Sequence, residues 1–512
     1  MRHKKRLAAL LLATLMLSGC TSPVPTDQVS TVTLPPPAST FVPANENDAL
    51  GYAETVQLNL PSLSGGQLVM VSDRILIPPD QHPAEATLKR LLSFSGSDQA
   101  APLFPSAQLT LQPGTRLELS GDVATVDLSA NAALLSKQDL LTLSRALTNT
   151  LTQWQDIRYV NLLIAGRAPA MDERGWLPLG SQQQSRNEDA PALWDSYAAR
   201  SALETPENQR FSSLCTLYYP APSGRGILAE ARAVSFPGMR LEQQALSLLE
   251  ALSARAQTLP QAPQVPDLRA LLQAEPELIT FEGGRILSLQ FLPIANETFI
   301  QAGVPRSVML ASLSYTLCGF LPDLSGIQVR IGNEQIEAIV PSGIYEGAGE
   351  QISFSGGLLR RADFSTFLLT DCTLYFARGE DALQRVRRPV PHALAHSKSY
   401  LLGQLMAGPQ PFDSAQGTAP VLPQGTQEED LLAVTKQDDA ALVNWSAGFL
   451  AAAEGFSPAR ERQMVYAIVN TLCETRGIRR VRFYVGGQQP ESFSGAVSLP
   501  GEFLFNPDIV VQ

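Results

Sequence analysis

Four thiols and a few charged side chains are the residues of this chain whose spacing could do chemistry. Cys215 opens the run Cys-Thr-Leu-Tyr-Tyr and Cys372 opens Cys-Thr-Leu-Tyr-Phe, while Cys318 and Cys473 each follow a Thr-Leu pair. Cysteines at matched positions outside a reducing compartment suggest the disulfides Cys215–Cys318 and Cys372–Cys473. Each would close a loop of roughly 100 residues and stabilise by about 4 kcal/mol through chain entropy. The same pattern suits two pairs of small buried thiols in equivalent core positions.

His392 and His396 stand four apart, the spacing that puts two imidazoles on one helix face. A metal centre needs at least a third ligand. Pro389 and Pro391 precede the pair and no Glu lies between its members, so it reads as a solvated helix start, and no metal is assigned. Asp122 and Asp127 could be imagined as paired carboxylates, but they read better as a turn residue and an outward strand residue. No nucleophile elbow, phosphate loop or dinucleotide fingerprint occurs, so no catalytic residue and no cofactor is assigned. Arg476, Arg479, Arg480 and Arg482 crowd one short stretch of an otherwise acidic protein. They form either a solvated face balanced by nearby carboxylates or a docking patch for an acidic partner or a neighbouring copy.

The elements that position these residues come from a pattern met three times: Thr150 to Gly166, Thr316 to Asn333 and Thr471 to Gly487. Each copy ends an apolar helix, crosses a polar turn and enters an alternating strand. The spacing, about 160 residues, makes the repeating unit a whole domain and not a solenoid turn. Upstream of it each unit reads strand, helix, hairpin and helix. The first strands are Leu68 to Val71, Cys215 to Tyr219 and Cys372 to Phe376. The last strands alternate with one polar face, which predicts a sheet covered on one side by two helices. The predicted fold class is therefore α+β: three tandem small two-layer domains, each two helices on one face of a three- to four-stranded sheet.

The chain has 512 residues, 44% of them hydrophobic, which suits about three domains with real cores. Arg2, Lys4, Lys5 and Arg6 precede an apolar run from Leu7 to Leu17 and then Leu-Ser-Gly-Cys20. This resembles the leader and lipobox of bacterial lipoproteins, and the resemblance implies diacylglycerol on the Cys20 sulfur. An ordinary secretory leader is the plainer alternative. The formal charge of −11 becomes −15 when those four basic residues are removed, a balance that disfavours nucleic acid as partner. The expected layout is a leader over 1–20, a Pro/Thr/Ser-rich tether over 21–50, domains over 51–180, 211–345 and 370–512, and linkers over 181–210 and 346–369.

Copy one resembles the GerMN domain family of sporulation and germination proteins. The residues that carry the likeness are Pro105-Ser-Ala, Pro113-Gly-Thr, Gly121 to Ser129, the Leu-rich helix to Leu151, and Val160 to Gly166. Copy three resembles it more loosely, through Met406 to Pro409, Pro423 to Thr426 and Thr471 to Gly487. Copy two diverges most, because it lacks the Pro-Gly-Thr turn. The resemblance implies a ring-building-type α+β domain in envelope lipoproteins that act in assembly and not in catalysis. The expected protein is thus a lipid-anchored, non-enzymatic scaffold on the outer face of the cell membrane, with envelope or sporulation proteins, or its own copies, as partners. A surface receptor for a small ligand or wall glycan is the rival reading.

Overall fold

Val56, Leu58 and Leu60 are buried and alternate with Thr55, Gln57 and Asn59, a period of two that makes strand β1 (Tyr52–Pro61) half-buried. It pairs antiparallel with β2 (Leu68–Ile77) over ten residues. The computed structural model describes residues 51–78, 81–203, 206–281, 284–342 and 349–511. The leader, Cys20 and the tether lie outside the described residues.

Helix α1 (Pro83–Leu92) follows the hairpin, its first turn closed by His82, whose Nδ1 accepts the Ala84 N–H at 3.1 Å. A second hairpin, β3 (Glu118–Ser120) and β4 (Val123–Leu128), turns at Gly121-Asp122. Helix α2 (Lys137–Leu151) starts at Ser136, whose hydroxyl accepts the Asp139 N–H at 3.1 Å. It buries Leu140, Leu143, Leu147 and Leu151 along one stripe. β5 (Tyr159–Ile164) then returns parallel to β4, and β6 (Gln182–Gln183) closes the four-stranded sheet.

The same succession recurs twice. The second repeat runs through β7 (Phe211–Pro220), β8 (Ile227–Phe236), α4 (Leu241–Ser253), β9 (Glu277–Phe281), β10 (Gly284–Phe291), α5 (Ala295–Gln301), α6 (Arg306–Cys318) and β11 (Leu324–Ile331). Helix α3 (Ala190–Ser201) precedes it, and the short strands β12 (Glu334–Gln335), β13 (Ala338–Ile339), β14 (Ile352–Ser353) and β15 (Leu358–Leu359) follow. The third repeat comprises β16 (Leu369–Arg378), β17 (Ala382–Pro391), α7 (Lys398–Met406), β18 (Leu431–Gln437), β19 (Ala440–Trp445), α8 (Ala447–Ala453), α9 (Pro458–Cys473) and β20 (Arg480–Val485), with β21 (Phe503–Leu504) and β22 (Val510–Val511) after it. β10 with β11, and β19 with β20, are parallel as β4 is with β5. The fold is mixed α/β with several small sheets.

Three expectations need correction. The strand Leu68 to Val71 is the second arm of its hairpin, and the true counterpart of Cys215 to Tyr219 is β1. The first-repeat sheet is not open on one side: in β5 both Asn161 and Leu163 are buried with Val160 and Leu162. The second repeat covers that other face, with the Asn161 amide donating to Gly319 O at 3.3 Å and the Thr125 and Tyr218 hydroxyls 3.3 Å apart. Finally, the stretches expected as linkers contain packed residues. Ser181 is buried and donates its N–H to Leu214 O at 2.9 Å, and Phe364 and Phe367 are fully buried.

The disulfide expectation fails on facing. Cys215, Cys318, Cys372 and Cys473 are all unpaired thiols. Residues directly opposite across a hairpin share one side of it. Cys215 stands opposite Arg232 and Cys372 opposite Arg388, and the helix instead meets Tyr218 and Tyr375 through Thr316 and Thr471. The matched cysteines are therefore small core residues, and burial pushes the thiols of Cys318, Cys372 and Cys473 up to about 12.

Candidate functional site: the arginine face and the junction of the repeats

The four candidate arginines do not form one patch. Strand β20 alternates, so Arg480 and Arg482 share its outer face while Val481 and Phe483 enter the core. Arg480 Nε donates to Asp439 at 2.8 Å and its Nη1 to Glu502 at 2.6 Å. Arg482 Nε donates to the same Glu502 at 2.9 Å. These hydrogen bonds from the two guanidinium groups hold the Glu502 carboxyl below its usual range. Both charges are thus spent on acidic neighbours within the repeat. Arg479 is exposed, in the turn that leads into β20.

Arg476 does something different. Its guanidinium lies 4.8 Å from the centre of the buried Trp154 ring, in the first repeat. Beside it, Lys436 Nζ stands 5.3 Å from the Tyr52 ring, and a Cβ on Gly477 would come within 2.4 Å of that ring. The last turn of the third repeat is thus docked on the first. Sequence separation hid this contact, because nothing local marks Trp154 as a cation acceptor.

The three repeats converge on Ser120, at the end of β3. Its buried hydroxyl donates to Leu369 O at 2.6 Å in the third repeat and accepts the Ala229 N–H at 3.0 Å in the second. The backbones come close here. A Cβ on Gly121, where φ is +57°, would sit 2.3 Å from Ala229 O. Arg361 plugs the space beside this junction. It is buried, ion-paired to Glu118 of the first repeat, 3.1 Å from the Tyr218 hydroxyl and 3.9 Å over the Tyr315 ring of the second. It lies in a stretch expected to be a linker, where no local pattern marks a buried arginine.

Asp122 and Asp127 do not act as a pair. Asp127 Oδ1 accepts the Gly166 N–H at 2.9 Å, and Asn444 Oδ1 accepts the Gly487 N–H at 2.9 Å in the third repeat. These two side chains tie the turn after the last strand, where φ is +77° at Gly166 and +83° at Gly487. Among the described residues no group of three or more His, Cys, Asp or Glu could hold a metal ion. No described helix is long and apolar enough to cross a membrane.

Residues 60–169 and 373–491 match the Germane family model, described as sporulation and spore germination. The likeness to that family is carried by these two segments, a little under half of the chain. They fall on the first and third repeats, and the second lies between them. The tandem GerMN domains of the sporulation protein GerM from Bacillus subtilis are similar at 15% identity over 58% of this chain and 99% of that one, with a TM-score of 0.21. The first GerMN domain of the same protein aligns at 23% identity over 22% of this chain and 84% of its own, at 0.18. A candidate lipoprotein from Clostridium perfringens aligns at 24% identity over 27% of this chain and 87% of its own, at 0.19. No curated protein matches the chain.

Proposed function

We propose that this GerM-like chain is a lipid-anchored, non-enzymatic scaffold on the outer face of the cell membrane that supports envelope assembly in sporulation or germination. Its three repeats would be three GerMN-type domains. The observation that carries the reading is the match of the first and third repeats to a family described by that process. The Leu-Ser-Gly-Cys20 run supports the anchor. Arg479 is the member of the arginine cluster best placed to reach a partner, since Arg480 and Arg482 are engaged by carboxylates and Arg476 by Trp154.

Cross-linking in intact cells through development tests the scaffold. A high-mass complex captured with the native chain, and lost when Cys20→Ala releases it from the membrane fraction, is the expected result. Recovery of the chain as a monomer throughout would refute it. A second reading, a small-ligand receptor, is favoured by one feature: a cavity of about 590 Å³ in the first repeat, lined by Phe94, Leu103, Leu109 and Leu111 with Lys89 at its edge. A rise in melting temperature with soluble wall fragments would support that reading instead.

A further inference from the structure

Of the three histidines that follow the leader, His82 lies far in sequence from His392 and His396, yet all three gather where the first repeat meets the third. The His82 and His396 rings lie 5.2 Å apart between centres. His82 is buried and its tautomer is fixed: Nδ1 accepts the Ala84 N–H, so Nε2 carries the proton and donates it to Asp156 at 2.6 Å. His392 Nε2 donates to Leu117 O at 3.0 Å across the same contact, and its Nδ1 is buried with no hydrogen-bond partner. A second proton on His392 would have no acceptor there, and a buried unpaired charge is costly.

We propose that this histidine cluster is a proton-operated latch, closed when the rings are neutral and opened by acid, which loosens α1 of the first repeat from the segment that leads into α7 of the third. The charged groups that act on the cluster are Glu85 on α1, Glu118 on β3 and Asp156 after α2, with Arg476 after α9 acting on Asp156. Burial, then the neighbouring His82 with which it would compete for charge, holds His396 down to about 4, and burial holds His392 below its ordinary value despite Glu118 and Glu85. The closed state therefore binds fewer protons than the open one. The latch is fully closed above the ordinary histidine value of 6.5 and weakens as pH falls from there toward about 4. This holds whether the chain's partner is a protein assembly or a small ligand.

Amide hydrogen exchange of the full folded chain, corrected for the intrinsic pH dependence, tests it. Residues 82–92 and 392–406 are expected to lose protection between pH 7 and pH 5, while α2 and α9 keep theirs. His396→Gln alone should weaken the pH dependence of both segments, and His392→Gln with His396→Gln should remove it across that range. The latch is overturned if the two segments stay protected to pH 4.5 in the native chain. It is equally overturned if they open only together with α2 and α9, or if a folded single Gln variant shows the unaltered transition.

Discussion

The Thr316 hydroxyl accepts the Tyr218 N–H at 3.0 Å, and Thr150 and Thr471 do the same for Asn59 at 2.9 Å and Tyr375 at 3.2 Å. Each contact joins the second long helix of a repeat to the free edge of its first hairpin. An edge strand offers unpaired N–H groups, and a buried one must find an acceptor. The Thr of the repeated Thr-Leu pair is that acceptor. Replacing Thr316 by Val keeps the shape and strands the Tyr218 N–H, at a cost of about 1–3 kcal/mol. Thr316→Ser should retain most of the stability. The urea midpoints of the two variants against the parent check both statements.

The thiols give a simple count. A chain lacking Cys20 should contain four free thiols when unfolded in denaturant without reductant. In the native state only Cys473, the least buried, should react slowly with an aromatic disulfide reagent at neutral pH, since its thiol is pushed up to about 12. A count of zero in denaturant would restore the disulfides.

Arg388 and Asp413 form a fully buried pair in the third repeat, with Nε–Oδ1 at 2.8 Å and Nη2–Oδ2 at 2.7 Å. Gly408 O and Gln404 O take further guanidinium protons, and the Gln410 N–H reaches the carboxylate at 2.7 Å. Asp413→Leu alone leaves a buried cation and should cost about 3–5 kcal/mol. Adding Arg388→Met removes the orphaned charge and should recover a large part of that loss. A double-mutant cycle by chemical denaturation measures it.

Glu461, on α9, is buried and accepts four backbone N–H groups: Phe493 and Ser494 on one oxygen, Ala496 and Val497 on the other, all at 2.8–3.0 Å. Burial raises its pKa, but the N–H bonds from Ser494, Ala496 and Phe493 outweigh that and hold it below the ordinary 4.5. A depressed carboxylate stabilises the fold above its unfolded value and stops doing so as pH falls through the folded one. The loop over 489–500 should therefore become protease-sensitive only in strong acid in the parent. In Glu461→Gln it should be sensitive already at pH 7.

The sequence made the repeat order plain because its signals are local. Leu140, Leu143, Leu147 and Leu151 announce a helix, and Val481 with Phe483 announces a strand. What stayed hidden depends on residues far apart: Arg361 on Glu118, Arg476 on Trp154, His396 on His82. The cysteine pairing misled for a related reason. Equal positions in two repeats mean equal environments, and the environment at Cys215 is a core site opposite Arg232, with no facing thiol. The alternation of β1 was legible in Val56, Leu58 and Leu60, but the Cys-Thr-Leu-Tyr likeness drew attention to the wrong arm in the repeat that lacks that cysteine.

Ser120 is one hydroxyl, yet its proton goes to one neighbouring repeat and its lone pair to the other. A chain that reads as three interchangeable cassettes is thereby indivisible in space. Any two-cassette fragment would carry a raw surface where the missing third had been seated. Gene-level shuffling of such a protein would have to move the seam residues together with the cassettes. That sets a stricter rule for its diversification than the sequence repeat alone suggests.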